Sequence, residues 1–594
     1  MRRHGEFDRQ MKVFMKLRGK ELSQRIAAVL AVVLLAGAAA GCSTPKPADP
    51  AYTFPLASPE NSAAAGEASE TDETLAQMAA ENAEAQAEET GAESSAAEST
   101  SEEGASAAAE EAQAAQEQKP EITELTAESG TLWIESLETD VDAEKIILKL
   151  PETLSARGIY GEESGALKEE AIPADAYEIE TLKIGNMNKE PAALYLSDER
   201  GNPSAEDSPY LTVDLGAGNG AHMFVTDPAT MHNVWTDLMQ VELSVVFRNV
   251  LRVRIDENLA GNRLAECAEL FSERGEYSGE YKNPMTGETE ELQLSYAAYA
   301  PEAFENDGAK NPLIIWLHGA GEGGTDPEIA LLGNPVTRLA QEKIQSYFES
   351  ETEDGETAKG AYVLVPQTQT YWMDAGDGKN HIGNQDSRYT QILLDLIDQF
   401  LEEHPDVDED RIILTGCSNG GYMTMALMIA RPKQWAAAVP VCEAYSYSAR
   451  DTSDFEKRFM TRDKVLAICR IPCWFIHCAE DTTVPPGYYS IAAYRAFLEG
   501  GADNCWYSML SEMTGENGKK LDGHFAWVPF LGDRVSGVQN IAQIRDAGYA
   551  KDSKMEGRIT TDGFEPGETG GDEYAEMGGE RFTSVFAWMN AQRR

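Results

Sequence analysis

Positive charge and histidine are both scarce in this chain. Lys and Arg total 49 against 101 Asp and Glu, giving a net charge of −52. A surface so acidic repels phosphate backbones, which argues against nucleic acid as a partner. Eight cysteines in 594 residues are too few for a disulfide scaffold. No collagen-like period or internal repeat occurs. A spanning helix needs about 20 apolar residues; one run, Ile26 to Ala40, approaches this length with fifteen. Aromatics nearly vanish between residues 43 and 120, where Tyr52 and Phe54 stand alone.

What is present sorts into four regions. Lys12, Lys16, Arg18, Lys20 and Arg25 precede the apolar run, and small residues follow it. This order of basic flank, short apolar core and small residues predicts a secretory signal. Its end, Ala39-Ala40-Gly41-Cys42, resembles a bacterial lipoprotein signal, with Ala39 where such signals usually carry Leu. The resemblance implies that residues 1–42 are a lipoprotein-type signal peptide and that Cys42, lipid-modified as the first residue of the mature chain, tethers the rest to a membrane. Translation from Met11 or Met15 would give a shorter basic start. Residues 43–120 carry 17 acidic residues against Lys46 and Lys119. Such a segment cannot bury enough apolar surface to offset its ordering entropy, so a self-repelling linker is expected.

Residues 121–275 hold short runs rich in β-branched and aromatic residues: 131–135, 145–150, 177–184, 241–247 and 251–255. Several alternate apolar and polar residues and are separated by turn residues, the pattern of an antiparallel sandwich. A short helix is expected near Leu264 to Phe271. Over residues 276–594 the grammar becomes strand, loop, helix. Pro312 to Leu317 and Ala361 to Val365 are continuous apolar runs, as in strands covered on both faces. Tyr389 to Glu403 places Ile392, Leu393, Leu396, Ile397 and Phe400 at helical spacing. Further strands are expected at Arg411 to Thr415, Ala436 to Val441 and Pro472 to Ile476. Alternation of this kind predicts an α/β fold with a mostly parallel central sheet.

Between the strand at Arg411 and the following helix lies Gly416-Cys417-Ser418-Asn419-Gly420-Gly421. This is G-x-S-x-G in a strand–turn–helix setting, which lifts the serine hydroxyl above the sheet. A serine needs a general base. Of the eight histidines only His477 and His524 follow Ser418, as the chain order of such enzymes requires. His477 ends a strand, where packing suffices to explain it; His524, in a later loop, is the preferred base. Glu480 and Asp481 both qualify as the acid by position, and Asp481 is preferred. The oxyanion formed in acyl transfer needs donors. Asn419 N–H, after the nucleophile, is one; Ala320 N–H, in the small-residue loop His318 to Gly324, is the expected other.

With these pieces in view, the second half of the chain resembles a family. Leu313-Ile-Ile-Trp-Leu-His-Gly-Ala-Gly-Glu322, Gly416-Cys-Ser-Asn-Gly-Gly-Tyr422, His477-Cys-Ala-Glu-Asp-Thr-Thr-Val-Pro485 and Gly523-His-Phe-Ala-Trp527 are similar to motifs of bacterial α/β-hydrolases of the predicted-peptidase, polyhydroxybutyrate-depolymerase-like and feruloyl-esterase-like type. The resemblance implies a Ser–Asp–His triad at Ser418, Asp481 and His524, and an immunoglobulin-like module at residues 121–275. Cys478 stands where glycine is common in the third motif, and a Gly- and Glu-rich stretch, about Lys551 to Gly579, looks inserted.

The expected activity is hydrolysis of small or polysaccharide-linked acyl esters outside the cytoplasm. A prolyl-oligopeptidase-like peptidase and an inactive surface-binding protein are the rivals; the absence of a propeller repeat weakens the former. No cofactor and no metal are called for. Asp406 to Asp410 lacks the glycine and distal glutamate of a calcium loop and reads as a solvated turn. Trp372 either lines a substrate cleft or packs in the core.

Overall fold

The computed structural model describes residues 122–161, 171–301, 309–352, 357–381, 386–448, 460–547 and 562–594. The signal, Cys42 and the acidic linker lie outside the described residues. Among the described residues no helix is long and apolar enough to cross a membrane.

The first part is all-β. One sheet runs in the order Thr123–Thr126, Leu251–Asn258, Gln240–Phe247, Tyr177–Ile184, Met187–Asn188; the other has Ser129–Ser136, Val141–Leu154, Ser208–Asp214 and Ala193–Ser197 as its main path. Inward residues of both sheets, Leu132, Ile146, Leu211 and Val213 from one and Leu182, Val241, Val245 and Val253 from the other, share one core. This is the two-layer solution for sheets with one apolar face each. Pairing is mainly antiparallel. The exceptions are at the edges, where Thr123–Thr126 runs parallel to Leu251–Asn258 and Arg263–Leu264 parallel to Ser129–Ser136. The expected helix shrinks to Glu266–Glu269.

The second part is built on eight strands: β1 (Glu273–Lys282), β2 (Thr289–Tyr299), β3 (Asn311–Leu317), β4 (Tyr362–Thr368), β5 (Val407–Cys417), β6 (Ala437–Val441), β7 (Cys473–Cys478) and β8 (Cys505–Leu510). Their order across the sheet is β1-β2-β4-β3-β5-β6-β7-β8. β2 pairs antiparallel with β1 and β4; all pairs from β4 to β8 are parallel. β3 is buried at every position, as a strand covered on both faces must be. Helix α1 (Thr390–Glu403) packs its Ile392, Leu396 and Phe400 stripe inward. Helix α2 (Asn419–Ala430) follows β5, and α3 (Ser490–Glu499) lies between β7 and β8.

The first strand of the sheet begins at Glu273. One expectation needs correction. The Asp406 to Asp410 segment is solvated at Glu409 and Asp410 but is not a turn throughout, because β5 already starts at Val407. There the buried Arg411 guanidinium, held by Asp408 at 2.7 Å and Glu349 O at 2.8 Å, pins the segment down. Of the Gly- and Glu-rich stretch, residues from 562 onward are described. They run along β8: Met509 N–H donates to Gly570 O at 2.8 Å and Gly567 N–H to Met509 O at 2.9 Å. The stretch covers a sheet edge that would otherwise offer unpaired backbone groups.

Candidate active site

β5 ends at Cys417, and Ser418 follows in a backbone conformation of φ 54°, ψ −112° before α2 begins. A non-glycine residue at positive φ is strained. The surroundings enforce it: Ser418 N–H donates to Val441 O at 2.9 Å. Neighbouring positions have no room for a side chain. A Cβ on Gly420 would overlap the Leu317 carbonyl, and one on Gly421 would sit 2.7 Å from Glu443 Cα. The two glycines after the serine are therefore a steric requirement of α2 crossing close over β3 and β6.

Ser418 Oγ lies 2.9 Å from His524 Nε2, and His524 Nδ1 lies 2.8 Å from Asp481 Oδ2. The sequence distances are 106 and 43 residues, so only the fold brings the three together. Asp481 comes from the loop after β7, and His524 from the loop between β8 and the helix Trp527–Leu531. Asp481 Oδ1 accepts N–H bonds from Thr483 at 2.9 Å and Val484 at 2.8 Å. Burial opposes ionisation of this carboxyl. The hydrogen bonds from His477 and His524 outweigh it and hold the group well below the usual carboxylate range. Glu480, the alternative acid, carries its carboxylate outward to Lys520 at 2.9 Å. Ser418 Oγ can thus pass its proton to His524, with an ionised Asp481 to orient the ring and balance its charge.

A cavity of about 330 Å³ opens on Ser418 and His524; Ala320 and Asn419, the two expected donor positions, both border it. Asn419 also fastens the loop after β4: its Oδ1 accepts from Met373 N–H at 3.2 Å and its Nδ2 donates to Asn380 Oδ1 at 3.0 Å. Trp372 does not border the cavity. It is fully buried, with ring centroids 5.1 Å from His318 and 6.3 Å from Tyr389, and its neighbour Met373 takes the wall position instead. His318 is a pin rather than a base. Its Nδ1–H donates to Gly319 O at 2.6 Å and its Nε2 accepts from Thr368 N–H at 3.2 Å; burial lowers its pKa to about 4 and keeps it neutral.

Further residues line the cavity beyond those expected there. Thr139 and Asn233, from the all-β part, line it. Glu322, in the loop after β3, is buried and accepts from Asn233 Nδ2 at 3.3 Å; desolvation pushes its pKa up to about 7. The β part is further joined to the sheet part by Trp235 Nε1–H to Asp326 at 2.8 Å and by His232 against Tyr371 at 4.7 Å. Cys442, Asp481 and His524 place potential metal-ligand atoms within 4.8 Å of one another. Burial pushes the Cys442 thiol well up, so without an ion it presents S–H.

Residues 372–465, which contain the Ser418 turn, match the Prolyl oligopeptidase family. No curated protein matches the chain. Among solved structures it is similar to a thermostable esterase (20% identity, TM-score 0.49, covering 68% of this chain and 97% of that one). It is also similar to an acylaminoacyl peptidase of Pyrococcus horikoshii (14% identity, TM-score 0.30, 64% and 49%) and to a ferulic acid esterase (12% identity, TM-score 0.27, 44% and 95%). The sheet order and the serine turn after β5 define an α/β-hydrolase fold. The family match over that turn, with Ser418, His524 and Asp481 within hydrogen-bond reach, supports a serine hydrolase.

Proposed function

We propose that the protein is an extracytoplasmic serine esterase that cleaves small or polysaccharide-linked acyl esters through an acyl-enzyme. The carrying observation is the 2.9 Å approach of Ser418 Oγ to His524 Nε2 at the wall of a cavity. Ser418 Oγ attacks the ester carbonyl while His524 takes its proton. The oxyanion is received by the N–H groups of Asn419 and Ala320. The tetrahedral species collapses as His524 Nε2–H protonates the leaving alcohol. Water, deprotonated by His524, then releases the acid and frees Ser418.

A peptidase would use the same steps, and the family match at residues 372–465 favours that second reading. The part preceding the sheet is a two-layer β domain, which we read as immunoglobulin-like, rather than a propeller that screens peptides. The assembled triad geometry speaks against an inactive binding protein. Turnover of p-nitrophenyl acyl esters, methyl ferulate and acetylated xylan against peptide amides decides; faster hydrolysis of the amides would reverse the assignment.

For location, we propose lipid attachment at Cys42 and an acidic spacer over residues 43–120. A coil of that length has a root-mean-square reach of roughly 50 Å, and charge repulsion extends it. The enzyme would then sample the space outside the membrane and meet substrates too large to cross the envelope.

A further inference from the structure

His477 is the first histidine after Ser418 in the chain, and its imidazole is completely buried. Three elements close around it: β7 carries the ring, the first residue of α3 supplies Ser490, and β8 supplies Tyr507. Nε2 lies 2.8 Å from Val484 O and 3.1 Å from Asp481 Oδ2. A carbonyl and an ionised carboxylate can only accept, so Nε2 bears a proton. On the other side Nδ1 lies 2.6 Å from Ser490 Oγ, which lies 2.8 Å from the Tyr507 hydroxyl. One direction satisfies the whole chain for a neutral ring: Tyr507 donates to Ser490, Ser490 to Nδ1, and Nε2–H to Asp481 and Val484.

Asp481 Oδ2 therefore receives two imidazole N–H groups, while Oδ1 receives two backbone ones. The other titratable groups facing this cluster are Glu443, Cys442, Cys478 and Tyr489. Burial drives all four up, Glu443 to about 8 and Cys478 to about 11. At neutral pH they are uncharged, which leaves Asp481 as the negative charge of the cluster.

We infer that His477 is a positioning residue for the hydrolytic site: a neutral Nε2–H imidazole, held by Ser490 and Tyr507, that shares Asp481 Oδ2 with His524. The shared oxygen fixes the carboxylate's orientation and spreads its charge over two donors, which moderates its pull on the His524 imidazolium. The inference rests on the reading of Ser418, His524 and Asp481 as the reacting set. A histidine that only fills space would need neither a fixed tautomer nor any influence on the pH profile.

The test uses the full chain. In His477→Leu the carboxylate loses one donor and binds a protonated His524 more tightly. The acid limb of the kcat/KM profile on p-nitrophenyl acetate should move up by about half a pH unit or more. kcat should fall by on the order of tenfold or more through lost orientation. His477→Gln, which keeps an N–H near the same place, should recover most of kcat, and Ser490→Ala should move the limb the same way by less. In wild-type protein, ¹⁵N NMR should show His477 as the neutral Nε2–H tautomer at neutral pH. A folded His477→Leu protein with wild-type profile and kcat overturns the inference, as does an Nδ1–H or imidazolium spectrum. If His477→Leu does not fold, Ser490→Ala and the spectrum decide. The spectrum reads the tautomer without turnover, so its failure is distinct from a failure of the Ser418 assignment.

Discussion

Asn233 Nδ2, on a hairpin of the β domain, lies 3.3 Å from Glu322 Oε1 in the loop that follows β3. Both residues border the cavity at Ser418. The preceding domain thus supplies part of the wall against which a substrate would rest. Asn233→Ala is expected to change KM for esters several-fold with a smaller change in kcat, since Asn233 is not hydrogen-bonded to Ser418 or His524. Stability should fall by about 1 kcal/mol, the usual worth of one such bond. Steady-state kinetics on two esters of different size check this; an unchanged KM for both would reduce the hairpin to a scaffold.

Ser418→Ala should lose on the order of 10⁴- to 10⁶-fold in kcat, as removal of a triad nucleophile does. Its melting temperature should not drop, because the strained φ of 54° is tolerated no worse by Ala than by Ser. Activity assays with thermal denaturation separate the two effects.

His524→Gln should be as inactive as Ser418→Ala, with wild-type kcat/KM falling on acidification as an imidazole base takes up a proton. His477→Gln should retain measurable turnover. A folded, active His524→Gln beside an inactive His477→Gln would exchange the two roles.

Much of this site was legible from residue types and order. The glycines around Ser418 mark a turn with no room for side chains, and the chain order Ser, acid, His left two histidines to choose between. The continuous apolar runs of β3 and β4 announced buried parallel strands. Other features were hidden for physical reasons. Asn233 reaches the cavity through domain packing, which leaves no local pattern. Trp372 sits beside the cavity-lining Met373, and one residue of difference along a loop decides between wall and core. β8, with Cys505, Trp506 and Tyr507, and the covering stretch after residue 562 have no alternation, because both faces and the edge of that strand are covered. The role of His477 depends on Ser490 and Tyr507, which only the fold brings to its ring.

Glu443 is fully buried, and desolvation pushes its pKa from the usual 4.5 up to about 8. Its Oε2 accepts from Tyr445 N–H at 2.7 Å, whereas Oε1 has no partner among the described residues. An acid whose folded pKa is raised stays protonated in the folded state where the unfolded chain ionises. Stability is then full below pH 4.5 and declines as pH rises toward 8, by on the order of a few kcal/mol. Glu443→Gln should flatten that decline. Chemical denaturation at pH 5 and pH 8 measures it; equal slopes in the two proteins would remove Glu443 as the cause.

Cys42→Ser should move the protein from the membrane fraction to the soluble one while specific activity on soluble esters stays the same. Recovery of unacylated wild-type protein in the soluble fraction would remove the tether.

The most direct test of the central claim is covalent labelling. Incubation with a fluorophosphonate, followed by peptide mass spectrometry, should place a single adduct on Ser418, formed slowly or not at all in His524→Gln. Folded protein that stays unlabelled at Ser418, or carries the adduct on another residue, would contradict the account.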